Sequence, residues 1–231
     1  MQWRYDVSGV DTVTLHFGER IDLSLVNPIQ QAAQALRQEL GTRLLDVVPS
    51  YTSIMLRYNL LKDDLASLMA DVAPLLNNLS TTTSSQLTSN IIEIPVWYDS
   101  KVGPDLPRIA ELAGITEQEV IELHSSQPYQ VFAIGFAPGF AYLGEVPEQL
   151  AVARLATPRV KVPAGSLGIA DTQTALYPLA SPGGWNLIGR TPLTLFDPKR
   201  EPASLLNAGQ QVKFTPIDFA EYQALGGQLD E

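Results

Sequence analysis

The chain has 231 residues with 15 Lys/Arg against 25 Asp/Glu, a net charge of −10 that leaves no basic footprint for nucleic acid. With 45% hydrophobic and 17% charged residues it has a soluble globular composition, long enough for one large core or two small ones. No cysteine is present and only two histidines, His16 and His124, so disulfides, thiol nucleophiles and thiolate or histidine-rich metal sites are excluded.

No apolar run approaches the roughly 18 residues of a membrane span, and the start, Met1 to Asp6, lacks the apolar stretch of a secretory signal. The expectation is a cytoplasmic protein without a membrane partner. Trp3 to Val10 and Val13 to Phe17 read as strands, the second alternating in Val13, Leu15 and Phe17. Asn27-Pro28 reads as the cap and first turn of a helix with Ile29, Ala32, Ala33, Leu36 and Leu40 on one face and Gly41 as its stop. Leu44 to Val48 and Ser53 to Tyr58 are two further strands. Asp63-Asp64 opens a second helix carrying Leu65, Leu68, Met69, Val72, Leu76 and Leu79, which Pro74 is expected to kink or shorten. Helices on one face of a small antiparallel sheet give an α+β domain of ferredoxin-like type over residues 1–85.

The polar stretch from Ser80 to Gln86 reads as a linker, with a long surface loop as the alternative. Beyond it Ile91 to Tyr98 is a strand containing Pro95, hence an edge strand or a bulge. Thr116-Glu117-Gln118-Glu119 is a capping box, with Ile115 and Val120 spaced as a hydrophobic staple, and the short helix it opens ends near His124. A histidine at a helix end is either a packing residue or a proton carrier. From Tyr129 onward short apolar pieces alternate with Gly/Pro turns: Val131 to Phe136, Gly168 to Ala170, Trp185 to Ile188, Leu193 to Phe196 and Val212 to Phe214. Residues 86–231 therefore read as a β-barrel or sandwich domain.

Neither a phosphate-binding loop nor a dinucleotide fingerprint, nucleophile elbow or zinc motif occurs, which argues against a self-contained ATPase, hydrolase or metalloprotease. Three blocks stand out instead. Gly135-Phe136-Ala137-Pro138-Gly139-Phe140-Ala141-Tyr142-Leu143-Gly144 sets aromatics among glycine and proline, either a ligand wall or a turn with its own aromatic lid. Thr157-Pro158-Arg159-Val160-Lys161-Val162-Pro163-Ala164-Gly165-Ser166 puts two cations on one face of a strand beside a Gly-Ser turn, which suits a carboxylate or phosphate or else is a solvated basic strand. Ser181 to Thr191 repeats turn, aromatic and cation in Trp185, Arg190 and Thr191, with Gln173 and Tyr177 between the blocks. Val131 to Arg200 holds six Lys/Arg against four Asp/Glu, whereas the rest of the chain holds nine against twenty-one. One ligand pocket lined by all three blocks is the expectation, with Arg159 and Arg190 facing ligand and dispensable for stability.

The run from Phe136 to Pro198 (GFAPGFAYLG, TPRVKVPAGS, QTALYPLASPGGWNLIGRTPLTLFDP), together with Gly103-Pro104-Asp105-Leu106, resembles the Kip-inhibitor-like family, also described as allophanate hydrolase subunit 1 or the B subunit of 5-oxoprolinase. That resemblance implies an α+β N-terminal domain followed by a cyclophilin-like β-barrel. It implies partner subunits C and A, a lactam or amide substrate, no cofactor on this chain alone and ATP used by the complex to open 5-oxoproline to glutamate. Phe136, Pro138, Gly139, Phe140, Tyr142, Arg159, Lys161, Gly165, Ser166, Gln173, Tyr177, Trp185, Arg190 and Thr191 would line the substrate site, and His124 would be a proton carrier. Asp171, Thr172 and Ala175 stand where family members usually carry glycine. One branch of the family binds a sporulation histidine kinase, so kinase inhibition is the alternative function; prolyl isomerisation follows only from analogy to the barrel.

Overall fold

The structure, a computed structural model, describes residues 2–79 and 91–229. The chain divides into two compact units, Met1–Thr88 and Ser89–Glu231. The polar stretch from Ser80 to Gln86 lies outside the described residues.

The first unit is an antiparallel sheet of β1 (Arg4–Gly9), β2 (Thr12–His16), β3 (Leu44–Pro49) and β4 (Ser53–Tyr58) in the order β1-β2-β4-β3, with helices α1 (Val26–Leu40) and α2 (Leu65–Asn78). Alternation sends Val13, Leu15, Ile54 and Leu56 inward, where they meet Ile29, Leu36, Leu68 and Val72 of the helices. Each such side chain contributes about 1.5–3 kcal/mol on leaving water. The element order is β-β-α-β-β-α, whereas a ferredoxin-like unit runs β-α-β-β-α-β. Moving the last strand of that unit to the front generates the order seen here, so the expected layout is corrected to a permuted one.

Two local expectations also change. A 3-10 turn, Leu23–Leu25, capped by the Asp22 side chain on the Ser24 N–H (2.8 Å), runs straight into α1. Asn27 and Pro28 therefore lie inside the first turn, where proline's missing N–H costs nothing. Helix α2, capped by Asp64 on Ser67, continues through Pro74 to Asn78 and is not shortened by it.

The second unit contains β5 (Ile92–Trp97), α3 (Leu106–Ala113), α4 (Glu117–Ser125), β6 (Tyr129–Ile134), β7 (Ala141–Gly144), β8 (Arg159–Val162), β9 (Ser166–Ala170), β10 (Gln173–Leu176), β11 (Ser181–Gly183), β12 (Asn186–Arg190), β13 (Gln211–Ile217) and α5 (Phe219–Ala224). Seven of the strands close a barrel in the order β10-β7-β6-β13-β5-β12-β9, while β8 and β11 form a separate two-stranded ribbon. The closed barrel fits the cyclophilin-like expectation. Its core joins Ile94, Val96, Val131, Leu143, Ile169 and Phe214 to Ile109 of α3 and Val120 of α4.

Strand β5 is no edge. It pairs with β13 in parallel along its whole length, from Ile92↔Val212 to Trp97↔Ile217. On the other side β12 pairs only at Trp97, so Pro95 interrupts no second ladder. The capping box at Thr116 forms as expected, and Ile115 packs on the same core as Val120. Leu193 to Phe196 is not a strand; Phe196 makes a single bridge to Ser204.

Candidate functional site

The three Gly/Pro/aromatic blocks assemble two neighbouring features of the second unit rather than one pocket. The first is aromatic. Phe140 (2% exposed) meets Tyr142 (ring centroids 4.8 Å apart), Tyr177 (5.2 Å) and Trp185 (6.1 Å). Phe136 lies 5.3 Å from Phe140 but is 68% exposed, with φ 69° at the start of a loop that turns at Gly139 (φ 78°). Pro138 is exposed on that loop. The Arg154 guanidinium stands 5.7 Å from the centre of the Trp185 ring. Burial pushes the Tyr142 and Tyr177 hydroxyls above their ordinary pKa, so both are neutral hydrogen-bonding groups.

The second feature is a cleft of about 300 Å³ lined by Lys101, Val102, Pro104, Arg159, Lys161, Pro163, Leu187, Arg190 and Leu229. Four of these side chains are cationic. The two-residue spacing on β8 puts Arg159 and Lys161 on one face, as the strand period requires. Arg190, at the end of β12, is only 6% exposed, and its Nη1 reaches the Gln228 carbonyl at 3.5 Å. The first unit has a larger hollow, about 650 Å³, bounded by Trp3, Arg4, His16, Glu19 and Asn77. There the bases are met by acids: Arg4 by Asp6 at 2.5 Å and His16 by Asp6 at 3.1 Å. Of these two hollows, the cleft of the second unit carries the cationic bias.

Arg159 is not the free ligand-facing charge the sequence suggests. Its Nη2 donates to Asp105 Oδ1 (2.8 Å) and its Nη1 to the Trp185 carbonyl (3.3 Å). The buried Asp105 also accepts from the Leu187 N–H through Oδ2 (2.7 Å). One carboxylate thus ties the start of α3, strand β12 and strand β8 together, and the guanidinium completes that clamp while forming a wall of the cleft.

The glycines likewise make room for the protein's own atoms. A Cβ on Gly165 (φ 79°) would lie 2.5 Å from the Thr191 carbonyl oxygen, and one on Gly183 would lie 2.3 Å from the Tyr177 hydroxyl. Thr191 and Ser166 are buried, and Ser166 is the cross-strand partner of Arg190. Gln173 opens β10 opposite Gly144 and Ala170 and lines neither feature. Asp171, at φ 54°, holds the left-handed position for which glycine is the usual residue; its carboxylate lies 3.6 Å from Arg154. Ala175 is fully buried in the aromatic cluster.

His124 is a core residue. Thr174 donates its hydroxyl to the Gly168 carbonyl (3.0 Å), so it accepts from His124 Nε2–H (3.0 Å), which leaves Nδ1 to accept from the Tyr98 hydroxyl (2.9 Å). The ring packs against both Tyr129 and Phe214, fully buried, and burial lowers its pKa to about 3. A neutral imidazole with both nitrogens engaged inside the core does not exchange protons with a ligand in the cleft.

Sequence reasoning missed Lys101 and Arg154. Both sit in irregular segments where no periodicity marks them. Asp105 was visible only as part of the Gly103-Pro104-Asp105-Leu106 resemblance.

Relatives of known name share both the sequence and the fold. The family described as carboxyltransferase domain, subdomain C and D, matches residues 3–206. The B subunit of the Bacillus subtilis 5-oxoprolinase is 35% identical over 236 residues, covering 97% of this chain and 98% of that one. The B subunit of the Escherichia coli 5-oxoprolinase is 56% identical over 128 residues, or 55% of this chain and 59% of its relative. The crystal structure of TTHA0988 superposes with a TM-score of 0.80 at 36% identity, covering 90% of this chain and 40% of that one. The chain belongs to the carboxyltransferase subdomain C and D family, among proteins of the 5-oxoprolinase B-subunit type.

Proposed function

We propose that this chain is the B subunit of an ATP-dependent 5-oxoprolinase, which with subunits C and A opens 5-oxoproline to L-glutamate in the cytoplasm and is inactive by itself. The observation that supports this reading most directly is the end-to-end match to the Bacillus subtilis B subunit. None of the relatives favours the kinase-inhibitor alternative.

A substrate of this kind carries one carboxylate beside a neutral amide ring. In the cleft Arg190 and Lys161 supply cationic donors for an anionic group of the reaction, with Arg159 as a fixed wall, and Leu187 and Pro163 give apolar contact. Beside Trp185, the partly buried Tyr142 offers a neutral hydroxyl to a lactam. No phosphate-binding loop motif occurs in the sequence, so the coupling of ATP hydrolysis to ring opening is a property of the assembled subunits.

Reconstitution tests this. The purified chain should release neither phosphate from ATP nor glutamate from 5-oxoproline, while the three subunits together should release both in a coupled manner. Full coupled activity from the partners without this chain would overturn the proposal.

A further inference from the structure

The cleft holds more positive charge than one carboxylate needs. Lys101, Arg159, Lys161 and Arg190 line about 300 Å³; Asp105 holds Arg159, Arg190 is itself engaged, and the two lysines carry the excess. Neither Lys101 nor Lys161 has an ion-pair partner among the described residues, and both are exposed on the rim. Two exposed lysines beside two arginines give the cleft a positive field that favours a ligand with more than one negative charge.

Ser166 is the direct cross-strand partner of Arg190, which places both side chains on the same side of the barrel sheet. Its Oγ is wholly buried and has no hydrogen-bond partner among the described residues. Buried hydroxyls are nearly always paired, so an orphan beside a cationic cleft points to an oxygen supplied by a bound molecule or its water.

We propose that this cleft binds a phosphoryl dianion, with Lys101 and Lys161 gripping its outer oxygens and Arg190 and Ser166 receiving the inner end. The proposal rests on the subunit reading above and deepens it: of the anions an ATP-driven lactam opening involves, a phosphoryl group matches this charge and the single carboxylate of the substrate does not. The phosphoryl group has two sources, a nucleotide or a phosphorylated form of the lactam acid, and both share the same recognition chemistry.

Titration calorimetry on the full chain at fixed ionic strength tests it. Inorganic phosphate should saturate one site, with sulfate competing and acetate failing to compete. Lys101→Met and Lys161→Met should each weaken phosphate at least tenfold while the melting temperature stays unchanged. ADP binding more tightly than phosphate assigns the site to a nucleotide; 5-oxoproline raising the affinity for phosphate assigns it to the phosphorylated lactam. No saturable phosphate binding, acetate displacing phosphate as readily as sulfate does, or unaltered affinity in both lysine variants would overturn the proposal. The subunit reading fails separately: a chain that binds phosphate yet adds nothing to its partners' coupled activity sinks that reading and leaves the phosphoryl site standing. Conversely, full coupling through a chain that binds no phosphate removes the site and keeps the subunit.

Discussion

Arg159 and Lys161 are two residues apart on the same strand, yet the structure gives them different work. Arg159 balances the buried Asp105, whereas Lys161 has no ion-pair partner among the described residues and lines the cleft. Arg159→Met should therefore lower stability to urea by about 2 kcal/mol, the scale of a hydrogen bond to a charged group left unmade. Lys161→Met should stay within about 0.5 kcal/mol of the parent. Equal stability in both variants would show that the Asp105 clamp does not need its cation. His124 makes a pH prediction with a definite sign. Its folded pKa, about 3, lies below the ordinary value of 6.5, so the unfolded chain binds a proton that the folded chain refuses. The contribution is complete above the unfolded pKa and is lost as pH falls from there toward 3. Between pH 7 and pH 5 that amounts to about 2 kcal/mol, by the logarithmic dependence of linkage. Urea unfolding of the parent and of His124→Asn at the two pH values checks it: the variant, though weaker, should show less of this pH dependence. An unchanged slope would place the imidazole in contact with water.

Among the elements, helices whose ends are written in side-chain chemistry were legible. Thr116 with Glu119 announced α4, and the buried faces of α1 and α2 matched their spacing. Helix α5 went unread although Asp218 and Glu221 form the same capping box, because its six residues leave no apolar period to notice. Short barrel strands were found as apolar pieces, but their pairing was not, since register depends on neighbours far away in the chain. The site was legible as composition and illegible as geometry. Arg159, Lys161 and Arg190 were singled out from sequence and line one cleft, while their division from the aromatic wall and the commitment of Arg159 to Asp105 depend on where α3 begins. The glycines illustrate the same limit. A Cβ on Gly103 would lie 2.1 Å from the Ile188 carbonyl carbon, a crossing of two backbone segments, whereas one on Gly135 meets nothing within 4 Å. Gly103→Ala should leave little folded protein by circular dichroism and size-exclusion chromatography, and Gly135→Ala should behave as the parent. Tolerance of alanine at Gly103 would mean that α3 can lift away from β12.

At the scale of the whole molecule the two units have separate hydrophobic cores, one built on Val13, Leu36 and Ile54, the other on Val96, Val131 and Ile169. A fragment of residues 91–231 should therefore unfold cooperatively on its own, as followed by near-ultraviolet circular dichroism and calorimetry. A fragment without a cooperative transition would show that its core depends on the preceding residues. The parallel pairing of β5 with β13 has a further consequence for how this protein is made. These are the first and last strands of their unit, and Ile92 meets Val212, which lies 120 positions further along the chain. On the ribosome the barrel cannot be sealed until the stretch near Ile217 has cleared the exit tunnel, so β5 and its neighbours wait with open edges during most of the unit's synthesis. A stalled or prematurely ended chain would display those edges and be a substrate for chaperones or proteases, while the first unit, complete by Asn78, could already be folded.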